Sequence, residues 1–194
     1  MLAWIAPGFA AAALASLALL APPAGAEGRL QKLRGHLGVG YAKLFSDPAP
    51  GGSFSMAAGV DYPVAASWKA GVALGYELLG GQVVERGSQV ASVDYSMLEM
   101  LALAHWESPR LGPVCRISFG PGLFSPRADL ATSAGGASFS DLAVDGVVPG
   151  IALGGTLMRR RDSPVRIGLE VGLRIVFLEG ETWNLALASL AFHY

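Results

Sequence analysis

The sequence predicts an all-β fold, a closed antiparallel up-and-down transmembrane β-barrel of about eight strands. Three observations carry that prediction. Ser163–Leu178 alternates without a break, Val165, Ile167, Leu169, Val171, Leu173, Ile175 and Phe177 on one face against Arg166, Gly168, Glu170, Gly172 and Arg174 on the other. A period of two is a strand, and from Val165 to Phe177 it exceeds the roughly 9–11 residues that cross a bilayer. Two neighbouring segments can be paired so that both faces match. Charged residues are only 15% of the chain against 52% apolar, below the roughly 25% charged of ordinary soluble domains.

Taken in order, residues 1–26 carry no charged side chain. They contain an apolar run, Ala10–Ala21, then Pro22-Pro23 and Ala24-Gly25-Ala26. This reads as a secretory signal peptide cleaved after Ala26, leaving 27–194 as the barrel. An uncleaved helical anchor is the alternative, but the run is short and ends at a proline pair. Met97–Trp106, the richest later candidate for a spanning helix, is interrupted by Glu99 and His105. The single cysteine, Cys115, excludes an intramolecular disulfide and any multi-cysteine metal site. A formal net charge of −1 gives no nucleic-acid signal.

Arg34–Phe45 is the first predicted strand, followed by a turn at 46–52, SDPAPGG. Ser53–Tyr62 and Ser67–Leu78 form the internal test. A hairpin centred near residue 65 opposes Tyr62 to Trp68, Ala58 to Val72, Met56 to Leu74 and Phe54 to Tyr76 on the outer face. The inner face then opposes Asp61 to Lys69 among Gly and Ala pairs. Leu79–Gln89 reads as a Gly-rich loop. Val90–Trp106 is a strand whose parity changes, and a bulge near Met97 would reconcile its halves and turn Glu99 inward. Pro113–Phe124 follows, then a long loop at 125–141, rich in Ala, Ser and Gly. Val147–Leu157, a turn at 158–163 containing Arg159–Arg161, the 163–178 strand, and Trp183–Tyr194 complete the set. The last strand also switches parity, from Trp183, Leu185 and Leu187 to Leu190, Phe192 and Tyr194.

Alternation alone does not say which face is wet. A soluble lipocalin-like barrel would hold its bulky residues inside. The opposite face would then be mostly Gly, Ala and Ser in water, a surface of low strand propensity and poor solubility. Turned inward, the same small residues suit a narrow eight-strand lumen. Aromatic residues sort into two girdles, Tyr62, Trp68, Trp106, Phe192 and Tyr194 at one end and Phe45, Phe54, Tyr76, Tyr95, Phe124, Phe177 and Trp183 at the other. Asp61, Lys69, Glu77, Glu99, Arg116, Glu170 and Arg174 are left inside, where charge must be paired. A lumenal salt-bridge network is therefore expected, not an open channel.

The leader, the Gly40-Tyr41 and Gly75-Tyr76 strands, Gly120-Pro121-Gly122 and the aromatic C-terminus resemble the small outer-membrane β-barrel families, OmpA/OmpX-like in size. The resemblance covers 27–194 and is one of pattern. Leu190, Phe192 and Tyr194 are similar to the terminal signal read by the bacterial barrel-assembly machinery, with Tyr where Phe is commonest. It implies a monomer in the outer membrane of a Gram-negative cell, with outer-membrane lipid and that machinery as partners.

The chain has three histidines, His36, His105 and His193. Strand direction puts all three at the periplasmic end, and spacing supports no Ser-His-acid arrangement. No catalytic residue and no cofactor are predicted. His36 and His193 become neighbours if the first and last strands close the barrel, which would allow a metal pair, but they are read as interfacial histidines with no metal. Cys115 reads as a small lipid-facing hydrophobe, and Arg159–Arg161 as a solvated turn. The sequence thus favours a structural or surface-interaction barrel. A narrow pore or transporter for small or apolar solutes is the alternative, ahead of a lipid-modifying enzyme or a soluble periplasmic barrel.

Overall fold

The computed structural model describes residues 32–45, 51–86, 89–108, 114–134, 137–144, 146–158 and 165–194. The leader (1–26), most of the turn at 46–52 and Arg159–Arg161 lie outside them. The unit Arg34–Tyr194 contains β1 (Arg34–Leu44), β2 (Ser53–Ala65), β3 (Trp68–Arg86), β4 (Gln89–Glu107), β5 (Val114–Ala134), β6 (Ala137–Val144), β7 (Val148–Met158), β8 (Arg166–Phe177) and β9 (Thr182–His193). Every pairing is antiparallel. β1 pairs with both β2 and β9, and β4 with both β3 and β5, so the sheet closes on itself. β5 pairs with β7 over Val114–Phe124 and with β6 over Ala128–Ala134. β6 thus extends the stave of β7, and the barrel has eight staves.

Closure removes the sheet edge, which is what allows strands to cross lipid with every backbone group paired. The predicted faces hold. Leu169, Val171 and Leu173 point outward, 56%, 55% and 37% exposed, and Gly168 and Arg174 on the opposite parity are buried. Leu37, Val39, Met56, Val72, Met100, Ile117, Leu153 and Leu190 continue the outward hydrocarbon band around the wall. A water-filled exterior would leave that band unsupported; acyl chains solvate it.

Four expectations are corrected. Within the expected loops at 79–89 and 125–141, the described residues 79–86, 89, 125–134 and 137–141 are strand: β3, β4 and β5 run on past their neighbours, and β6 joins them. Ladder pairs such as Val83–Ser92, Asp94–Asp129 and Leu130–Asp141 hold this part as a four-stranded sheet beyond the barrel rim. The β2–β3 register lies two residues from the predicted one. Ala65 pairs with Trp68 across a tight Ala66-Ser67 turn, a bulge follows at Val64, and Tyr62 faces Ala70 instead of Trp68. Asp61 therefore faces Gly71, not Lys69. The bulge expected in β4 lies in β3 at Leu79, where Gly80 takes φ 83°, a left-handed conformation that glycine adopts without strain.

The fourth correction concerns the parity changes, which do not occur. Met97, Glu99 and Leu101 in β4 are all buried inside, as are Trp183 and Leu185 in β9. Tyr95, Phe124 and Trp183 therefore leave the outer girdle and enter the lumen, Tyr95 stacked edge-on to Trp183 at 5.9 Å. With Leu44, Leu79 and Val176 they fill the half of the barrel next to the projecting sheet. The lumen is not filled by small residues and ion pairs alone.

Candidate functional site in the lumen

The other half of the lumen, at the end bearing Arg34 and Tyr194, is polar. Inward parity brings His36 from β1, Asp61 from β2, His105 from β4, Arg116 from β5 and His193 from β9. The β1–β9 seam sets His36 directly against His193, and Gly35 and Tyr194 close it with paired backbone bonds of 2.9 and 3.0 Å. Asp61 is the hub. Arg116 Nη2 donates to its Oδ2 at 2.7 Å, His105 Nε2 lies 3.0 Å from its Oδ1, and His36 Nδ1 lies 3.6 Å from Oδ2. Arg116 Nη1 also lies 3.2 Å from His193 Nδ1. The cluster needs Gly71 beneath it, since a β-carbon there would sit on Asp61 Oδ1 and 3.0 Å from His105 Nε2.

The remaining predicted residues divide between two further sets. Arg174 grips Glu99 with both arms of its guanidinium, Nε to Oε2 at 2.7 Å and Nη2 to Oε1 at 3.1 Å. That forked geometry is the strong form of the pair. Glu77 is fully buried, with neither carboxylate oxygen in a hydrogen bond. Glu170 accepts from Thr156 Oγ1 at the long distance of 3.5 Å. Lys69 joins Glu107, absent from the predicted network, at 2.6 Å. Leu190, Phe192 and Tyr194 share the outward parity of β9, Leu190 and Tyr194 strongly exposed.

Spacing supports no Ser-His-acid arrangement, but the closed barrel brings three such groups together. Ser118 Oγ lies 2.7 Å from His105 Nδ1, so Ser118, His105 and Asp61 do stand in line. Sequence spacing cannot find them, because they come from β5, β4 and β2. In a closed barrel the wall's backbone N–H groups are spent on the ladder, so they are not available as oxyanion donors to this line. A cavity of about 330 Å³ opens at this mouth, lined in part by Asp61, Arg116, Lys69, Glu107 and His193. Beyond it lies the apolar half, with Leu44, Leu79, Met97, Phe124 and Leu185 all at 0–1% exposure.

No protein-family model matches the chain, and no curated protein matches it. Among solved structures it is similar to Neisserial surface protein A (NspA), at TM-score 0.57 and 12% identity, over 84% of this chain and 96% of that one. It is similar also to Ail, the attachment invasion locus protein of Yersinia pestis, at TM-score 0.51 and 11% identity, over 84% of this chain and 97% of that one. The same protein in complex with the heparin analogue sucrose octasulfate matches at TM-score 0.51 and 13% identity, over 84% and 99%. Closed on itself with eight staves and an outward hydrocarbon band, the chain has the fold of the small outer-membrane β-barrels.

Proposed function

We propose that this chain is a monomeric integral barrel of the outer membrane with a structural or surface-interaction role, not a pore and not an enzyme. The observation that carries this reading is the apolar layer across the lumen. A conducting barrel needs a continuous wet path, and the buried Phe124, Leu44, Leu79 and Leu185 in the lumen speak against one. What remains available to a partner is the four-stranded sheet that rises past the rim, presented on the cell surface if the end holding Arg34 and Tyr194 is periplasmic. NspA is named a surface protein and Ail an attachment protein, and the same role suits this projection. Outer-membrane lipid meets the hydrocarbon band, and the outward Leu190, Phe192 and Tyr194 are available to the barrel-assembly machinery.

The test is planar-bilayer recording on refolded chain whose closure is checked by heat-modifiable gel migration. A folded barrel without unit currents is the expected result. Steady unit currents would establish the narrow-pore alternative instead.

A further inference from the structure

We propose that the polar end of the lumen binds one divalent transition-metal ion, of the zinc or cobalt class, through His36, Asp61 and His193, with His105 as fourth donor. All three histidines of the chain meet at a single aspartate. Ligand atoms of His36, Asp61 and His193 lie within 4.8 Å of one another, and His105 Nε2 is 3.0 Å from Asp61 Oδ1. These are separations that small side-chain rotations convert into a first coordination sphere.

The second observation concerns what those atoms lack. His193 Nε2 is buried with no hydrogen-bond partner, His36 Nδ1 is buried with only the 3.6 Å approach to Asp61 Oδ2, and Asp61 Oδ1 and His105 Nε2, also buried, have only each other at 3.0 Å. Buried polar atoms are ordinarily satisfied, so His36 Nδ1 and His193 Nε2, both left open beside one aspartate, point to a shared ligand. Two opposite atoms are held from behind, His105 Nδ1 by Ser118 and Asp61 Oδ2 by Arg116, while Arg116 Nη1 also stands at His193 Nδ1. A ligand held from behind while its free atom faces inward is the usual support of a metal site. Arg116 on His193 is the competing contact. At 3.2 Å it is the weaker of the two Arg116 makes, and metal at Nε2 would exchange it by moving the histidine proton to Nδ1.

Charge and access agree. Among the described residues Asp61, Glu99 and Glu170 face Arg116 and Arg174 inside the barrel, so carboxylates outnumber guanidiniums there and a cation among neutral histidines meets no surplus of positive charge. Lys69 and Glu107 cancel, and Arg34 and Arg166 stand exposed at the rim, where water and salt screen them. The mouth cavity reaches Asp61 and His193. Imidazole nitrogen with one carboxylate and no thiolate suits zinc or cobalt and not magnesium or calcium.

The experiment uses untagged, refolded chain in detergent, with heat-modifiable migration as the folding control. Zinc is titrated by calorimetry and cobalt by visible absorption. One ion per chain, a cobalt band displaced by zinc, and binding weakened at least about tenfold in the folded His36→Gln/His193→Gln double variant are expected. Should that variant not fold, the wild-type barrel decides: one equivalent of zinc must shift the imidazole resonances of all three histidines together. Folded chain that binds neither ion at about 100 μM, affinity unchanged in the double variant, or unmoved imidazole resonances would each overturn the proposal.

Discussion

The two halves of the lumen both hold deeply buried side chains and are chemically opposite. Toward the projecting sheet, Leu44, Leu79, Met97, Phe124, Val176, Trp183 and Leu185 are no more than 4% exposed. Toward the termini, Asp61, His105 and Arg116 are at 1–2%. The apolar half gains from every contact without regard to partner, because dispersion and water exclusion are non-directional. The polar half gains only when each group meets its complement, since an unpaired buried charge costs more than a paired one returns. Burial is therefore common to both halves, while composition says that one is held by packing and the other by pairing.

The sharpest way to break this contrast is the Arg174–Glu99 pair, which lies beside the apolar layer and follows the rules of the polar half. Arg174→Leu leaves Glu99 charged and unpaired, with Glu77 also buried nearby, and should cost roughly 3–5 kcal/mol of unfolding free energy. Removing both partners, Arg174→Leu/Glu99→Leu, should recover most of that loss. Urea unfolding of the three proteins in lipid vesicles measures the difference. If the double variant is no more stable than the single one, the pair is not acting as a charge pair.

Leu185→Ala probes the other half. Leu185 is fully buried against the aromatic and aliphatic plug, so the expected loss is about 2–4 kcal/mol, the transfer term plus a cavity. Unlike the arginine variant it should have no compensating partner, and the loss should not depend on salt. The same titration in two salt concentrations checks this.

How far these halves were legible follows from what hydropathy reports. It separates residues that avoid water from those that do not, and it set Leu169 and Val171 apart from Gly168 and Gly172 correctly. It cannot separate lipid from a dry plug. Trp183, Leu185, Tyr95 and Met97 avoid water as strongly as Leu190 does, so an inward apolar layer was read as a change of parity. The Gly-rich 79–89 and Ala-rich 125–141 segments were read as loops because their own propensities are weak, and their strands depend on ladder partners across the sheet. The β2–β3 register was missed by two residues because a bulge at Val64 is set by turn geometry, which preserves the faces and hides the slip. Of the site, the inward direction of Asp61, Glu99, Arg116 and Arg174 was visible in alternation. Their partners were not. Alternation and the hairpin pair Asp61 with Lys69, and only the closed barrel brings it Arg116, His105 and His36 from three other staves.

The smallest effect is expected where pairing meets water. Lys69 Nζ lies 2.6 Å from Glu107 Oε1, as short as any pair in the barrel, yet both side chains are about one-fifth exposed at the mouth. Distance alone would rank this bridge with Arg174–Glu99. Solvation ranks it far lower, because water at the mouth stabilises either charge when its partner is lost. Lys69→Ala should cost about 1 kcal/mol or less, shrinking further as salt rises, whereas the Arg174→Leu loss should persist. A Lys69→Ala penalty as large as that of Arg174→Leu would mean that the mouth is as dry as the interior, and that the boundary between the two kinds of pairing lies outside the cavity instead of at its floor.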